Sequence, residues 1–263
     1  MHFPTLLTSA SIALSSIAGL TSAHNVFRDA VGDANPKIHG YALGFDPSLK
    51  YEQVADLYKK GKAKFYSDLA IDVVGFKNHV IGYGPAHVEV KTGCGSTPRT
   101  ALSAFFKSKT AWKGLDEAKR NPFLMKPVPH GGQVNVAEEM GILASRGGTF
   151  GVPQVTAGGS LTIVNYQINV DGAGPFDCYI DNKGLGNVWG KDPLTVRTTC
   201  GGNPNSVGME GMFKNCTVTV AMPKGLGCTG AYNDGKQKNI CMVRCQNRAK
   251  NGLFGGCVPV QLV

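Results

Sequence analysis

The stretch between Gly158 and Cys178 has fewer ways to fold than any other part of this chain. Leu161, Ile163, Asn165, Gln167 and Asn169 fall on one side of an extended backbone, and Thr162, Val164, Tyr166, Ile168 and Val170 on the other. This alternation predicts a long strand over residues 161–170 with both faces partly covered. Asp171-Gly172-Ala173-Gly174-Pro175 is expected to stop it, because its two glycines can take backbone conformations closed to other residues and a proline forbids helix. The chain must turn, and it re-enters a sheet at Phe176 with Cys178 as its pin. Asp171 and Asp181 read most economically as turn residues.

The cysteines set the second constraint. Cys94, Cys178, Cys200, Cys216, Cys228, Cys241, Cys245 and Cys257 make eight, an even number that reads as disulfides in an exported chain, with the pairing open. All but Cys94 lie from Cys178 onward, so the C-terminal half is the stapled half. A zinc site on Cys241 and Cys245 is the weaker alternative, since no histidine follows His130.

Export is expected from residues 1–23, which lack acidic and basic side chains apart from His2 and carry an apolar run from Leu6 to Ala18. That run is too short to span a bilayer. Thr21 and Ala23 permit cleavage before His24; Ser16 and Ala18 permit an earlier cut before Gly19. The remainder, residues 24–263, is long enough for a single domain with one core, and residues 47–130 read as a helical and irregular insertion in it. The formal charge of +9 falls entirely on this part. Such a surface suits host or cell-wall polysaccharide, anionic polymers above all, while nucleic acid is not expected outside a cell and no transmembrane segment is present in the sequence.

Apolar residues at helical spacing predict a basic amphipathic helix within 47–66, a longer one within 100–120 and a short one over 134–144. Strands are expected at 71–74, 86–90, 154–156, 194–199, 216–221 and 258–262. Short strands separated by turn signals argue for a mainly β fold, an immunoglobulin-like β-sandwich with the insertion in its N-terminal half.

The familiar hydrolase signals are missing: no Gly-x-Ser-x-Gly elbow, no His-Glu-x-x-His helix, no phosphate loop. Glu89, Asp171 and Asp181 are carboxylates without a spacing that implies a glycosidase. A sharper idea is copper. Cleavage before His24 would give a terminal amine and an imidazole able to hold one ion together, and a second imidazole would complete the nitrogen-rich site that Cu(II) prefers. This is the histidine brace of lytic polysaccharide monooxygenases, so an enzymatic reading would be a copper-dependent polysaccharide monooxygenase-like one. His130, His87, His39 and His79 are candidate second ligands. Asn215-Cys216-Thr217 is an N-glycosylation sequon. Trp112 and Trp189 are too few for a stacking platform.

The run from Asn165 to Asp181, together with Cys241 to Asn247 and Phe254 to Gln261, resembles the fungal appressorium-associated (Egh/Gas/Mas-type) secreted virulence factors. The resemblance returns at residues 30–34 and 40–44 and is faint between about 50 and 133. Gln167, Asn169, Asp171, Gly172, Gly174 and Pro175 carry the family's motif, with Tyr166 where the family usually has histidine. The resemblance implies a secreted protein of fungal pathogenesis acting at the host or cell-wall surface without catalysis. The alternative is a copper-binding histidine-brace protein with His24, His130, His87 and Tyr166 as the metal candidates. A phenol replaces an imidazole poorly as an equatorial ligand, though it can sit axially.

Overall fold

A computed structural model describes residues 24–63, 72–76, 93–97, 133–250 and 252–263. It is mainly β, with strands gathered in two sheets. The first sheet has five strands: β1 (Asn25–Gly32), β2 (His39–Gly40), β5 (Ser160–Gln167), β7 (Val196–Thr198) and β8 (Lys214–Ala221), in the order β2-β1-β5-β8-β7, all antiparallel. The second has β3 (Val74–Gly75), β11 (Phe254–Leu262), β10 (Gln237–Asn247) and β6 (Phe176–Asp181) in that order. Flanking them, β4 (Gln154–Val155) pairs parallel with β11, and β9 (Gly230–Tyr232) pairs with β10.

The alternation along β5 decides where each side chain goes. Leu161 and Ile163 join Phe27, Phe176, Val218, Val243 and Val258 in one fully buried cluster fed by both sheets. Tyr166 points to the opposite face, where Val26, Ile168 and Tyr51 form part of a second cluster. Side chains of this size contribute about 1.5–3 kcal/mol each when buried. That second face is covered by helix α1 (Tyr51–Lys59), which buries Tyr51 and Ala55 and sets the Tyr51 ring 5.3 Å from that of Tyr166. A second helix, α2 (Val136–Ser145), starts at Asn135, whose side chain accepts a hydrogen bond from the Glu138 amide at 3.3 Å. It buries Met140 and Leu143.

Several sequence expectations shift at their ends. The helix expected within 47–66 is helical from Tyr51 to Lys59, and the one expected over 134–144 runs from Val136 to Ser145. The strand predicted to reach Val170 stops at Gln167, because the amides of Ile168 and Asn169 turn to the His24 carbonyl, at 3.0 and 3.4 Å. A short 3-10 turn at Val170–Gly172 follows. The strand expected at 86–90 and the helix expected within 100–120 lie outside the described residues.

The disulfides join Cys94 to Cys257, Cys178 to Cys245, Cys200 to Cys216 and Cys228 to Cys241. The zinc alternative is therefore corrected: Cys241 and Cys245 are each oxidised to a different partner and offer no thiolate.

Asp33, just past β1, fastens this strand to the chain entering β5. It accepts from the Thr156 amide at 3.1 Å, the Thr156 hydroxyl at 2.5 Å and the Ser160 amide at 3.0 Å. Burial alone would raise its pKa, but these donors together hold it below the ordinary aspartate value. A carboxyl whose folded pKa is depressed stabilises above its unfolded pKa, and that contribution disappears as pH falls through the folded value. The melting temperature should accordingly drop in acid, below about pH 4, and Asp33→Asn should flatten that part of the profile; an unchanged acid slope would contradict it.

Candidate functional site

The motif residues after β5 meet at one corner of the molecule. Gln167 donates through Nε2 to the carbonyls of Asn169 (2.8 Å) and Gly208 (2.5 Å). Asn169 receives the His24 main-chain amide on Oδ1 at 2.9 Å, and its Nδ2 stands 3.4 Å from His24 Nδ1. Asn25 donates to the Gly172 carbonyl at 3.2 Å. The Gly174–Pro175 peptide is cis. The glycines are spacers: a Cβ on Gly172 would sit 2.1 Å from the His24 carbonyl oxygen, and one on Gly174 would sit 2.3 Å from that of Cys200. Neither approach leaves room for a methyl group.

Asn247, at the end of β10, closes the corner. Its Nδ2 donates to the carbonyls of Asp171 (2.6 Å) and Ala173 (3.2 Å), and its Oδ1 accepts from the amides of Phe254 (3.0 Å) and Ala249 (3.4 Å). One buried carboxamide thus ties the turn after β5 to the loop between β10 and β11. The sequence offered a weak signal for it, an asparagine at the end of a cysteine-bearing run, and reasoning from motifs passed over it. Taken together, these carboxamides hold backbone, and backbone positioning is the chemistry their arrangement performs.

The candidate metal ligands are placed as follows. His24 is buried, with its ring stacked on Phe254 at 5.4 Å between centroids. Val26 pairs directly with Tyr166 across β1 and β5, so position 166 is the diagonal neighbour of His24 on one face. The two rings nonetheless have different contacts: Tyr166 packs on Tyr51, with the Arg28 guanidinium 5.6 Å from its ring centre. His39 instead pairs through Nδ1 with Asp29 at 2.9 Å. His79, His87 and His130, like Glu89 and Trp112, lie outside the described residues. Among the described residues no three His, Cys, Asp or Glu side chains gather as a metal group.

The Tyr166 hydroxyl is buried and has no hydrogen-bond partner among the described residues. Burial, reinforced by the nearby charges of Glu52 and Asp56 and opposed by Arg28, pushes its pKa up to about 12. An unmet buried hydroxyl costs about 1–3 kcal/mol, so Tyr166→Phe should raise stability by about 1 kcal/mol in urea unfolding. A loss of that size instead would mean that the hydroxyl is bonded after all.

The remaining candidates are simpler. Asp181 accepts from the amides of Lys183 (2.8 Å), Asn187 (3.0 Å) and Val188 (3.3 Å), folding its own loop. Trp189 is half-buried against the second cluster. Asn215 and Thr217 are exposed on β8 while Cys216 between them is bonded to Cys200. Asp171 is buried in the 3-10 turn. No helix among the described residues is long and apolar enough to cross a membrane.

This stapled two-sheet chain, with its carboxamide corner, belongs to the Egh16-like virulence factor family, whose model matches residues 22–255. It is similar to the appressoria-specific virulence factor GAS1 of Pyricularia oryzae, 34% identical over 171 residues, which covers 64% of this chain and 63% of the relative. It is also similar to the appressoria-specific virulence factor GAS2 of that fungus, 35% identical over 127 residues, covering 46% of this chain and 42% of the relative. The chain spans less than two thirds of either relative's length.

Proposed function

We propose that this virulence-family protein is secreted and acts at the host or cell-wall surface by binding rather than by catalysis. The observation that carries this is the state of its lysines. Lys37, Lys50, Lys60, Lys62, Lys183, Lys191, Lys214, Lys224, Lys236 and Lys238 are all exposed, and none pairs with an acidic side chain among the described residues. A cationic shell on a disulfide-locked body favours anionic polymers and gives a salt-dependent attraction. In this reading residues 1–23 are a signal peptide, 24–263 form a single domain with its insertion at about 47–130, and the two sheets sharing an apolar layer support an immunoglobulin-like sandwich. Export would also open Asn215 to glycosylation. The test is retention on chitin, glucan, cellulose and polygalacturonate at low and high salt; absence of retention on all four, with no host protein captured either, would end the binding reading.

A second reading is copper, favoured by one observation: the main-chain nitrogen and Nδ1 of His24 converge on the same Asn169 carboxamide. Cleavage before His24 would turn that nitrogen into an amine, giving two donors aimed at one place. Among the described residues the other imidazole, His39, pairs with Asp29, so none is brought to His24 as a second one. Calorimetry with Cu(II) on protein beginning at His24, beside one carrying an extra residue, decides it. Binding lost in the extended form and tightened by Tyr166→His supports the chelate; equal binding in both forms removes it.

A further inference from the structure

We infer that the outer side of α1, from Lys50 to Lys62 with Tyr58 and Phe213 beside it, is a docking strip for an acidic polysaccharide, a chain of uronate residues. The inference rests on the surface-binding reading above and names its partner. Lys50, Lys60 and Lys62 are exposed without acidic partners among the described residues, while Lys59 pairs with Asp56 at 3.5 Å and lies 4.8 Å from the Phe213 ring centre. Lysines at the C-terminal end have an ordinary explanation in the helix dipole. Lys50 does not. It occupies the N-cap, where the dipole opposes a cation, and it makes no side-chain cap bond. A serine or aspartate there would stabilise the helix. The helix therefore carries cations at both ends, against its own stability at one of them.

The spacing and the apolar partners narrow the ligand. Lys50 to Lys60 spans roughly 15 Å of helix, about three sugar residues of an extended chain. Leu57 is 44% exposed and Tyr58 38%, with the Tyr58 and Phe213 rings 6.3 Å apart. Sugar rings present apolar C–H faces that pack on such groups, whereas a bare phosphate polymer has none to offer. The apolar area is too small to embed in a bilayer. Carboxylates on sugar rings satisfy both halves of the strip.

The test compares wild type with the variant Lys50→Gln, Lys60→Gln, Lys62→Gln, and with Tyr58→Ser, for binding to polygalacturonate, inorganic polyphosphate, neutral glucan and phosphatidylglycerol vesicles. Matching thermal melts confirm folding, since glutamine keeps the helix propensity of lysine. The triple variant should lose about tenfold in polygalacturonate affinity, three exposed charges at roughly 0.5 kcal/mol each. Tyr58→Ser should weaken polygalacturonate and leave polyphosphate unchanged. Undiminished polygalacturonate binding by the triple variant overturns the strip while leaving the surface-binding reading intact. Tighter binding to vesicles than to polygalacturonate, or equal binding to neutral glucan, overturns the choice of ligand. A wild type that binds none of the wall polymers overturns the strip, and with no host protein captured either it defeats the surface-binding reading itself.

Discussion

Replacing Asn247 by alanine should destabilise the protein by about 3–5 kcal/mol, more than most single substitutions away from a large apolar side chain. The reason lies in its saturation. The carboxamide donates twice, to Asp171 and Ala173, and accepts twice, from Phe254 and Ala249, so its removal leaves four backbone groups without this partner inside the fold. Water cannot readily replace it at a position fully shielded from solvent. Asn247→Asp separates the donors from the acceptors: an ionised aspartate would face the two carbonyls with lone pairs only. Its folded pKa should rise above the unfolded one, so stability in that variant should recover as pH falls and the group becomes a donor again. Urea unfolding at neutral and acid pH reads both effects. A loss under about 1 kcal/mol in the alanine variant would show that the corner holds without this residue.

Removing the Cys94–Cys257 bond should be comparably severe. It closes a sequence separation of 163, against 13 for Cys228–Cys241. On loop-closure entropy alone the long link contributes about 5 kcal/mol and the short one about 3 kcal/mol. Both sulfurs of the long link are buried, and Cys94 sits in a short segment paired to β3 through Ser96 and Gly75. The Cys94→Ala, Cys257→Ala double variant should therefore unfold at markedly lower denaturant than the Cys228→Ala, Cys241→Ala one. The reverse order would mean that the unfolded chain is already compact around Cys94.

The sequence revealed the β character, the turn after β5 and the return at Phe176, because alternation and Gly/Pro chemistry act locally. It concealed β10, the longest strand among the described residues, running from Gln237 to Asn247. Lys238, Asn239, Arg244 and Gln246 break its apolar period, and the strand is held by neighbours on both sides, β6 and β11, that no local pattern announces. Disulfide partners were hidden for the same reason: Cys178 and Cys245 face each other only because β6 and β10 pair in that register. The motif was visible as a string, yet its work was not. Gln167 reaches the Gly208 carbonyl and Asn169 the His24 amide, both far along the chain, and Asn247 ties the turn that follows them from another strand. The strip on α1 was half legible, as a basic helix; that Phe213 comes to lie under Lys59 required the fold.

The strand order also dictates a timetable for synthesis. Every strand of the first sheet lies before residue 222, so that sheet can assemble, and Cys200 can find Cys216, while the rest of the chain is still emerging. The second sheet cannot: β3, β4 and β6 wait for β10 and β11, which arrive last. Cys94 must stay unclaimed through that whole interval, with four other cysteines appearing before its partner besides the two already joined. Oxidation that runs ahead of the ribosome would trap it with the wrong one. For this topology, yield in a producing cell should depend on isomerase capacity more than on the final stability of the fold.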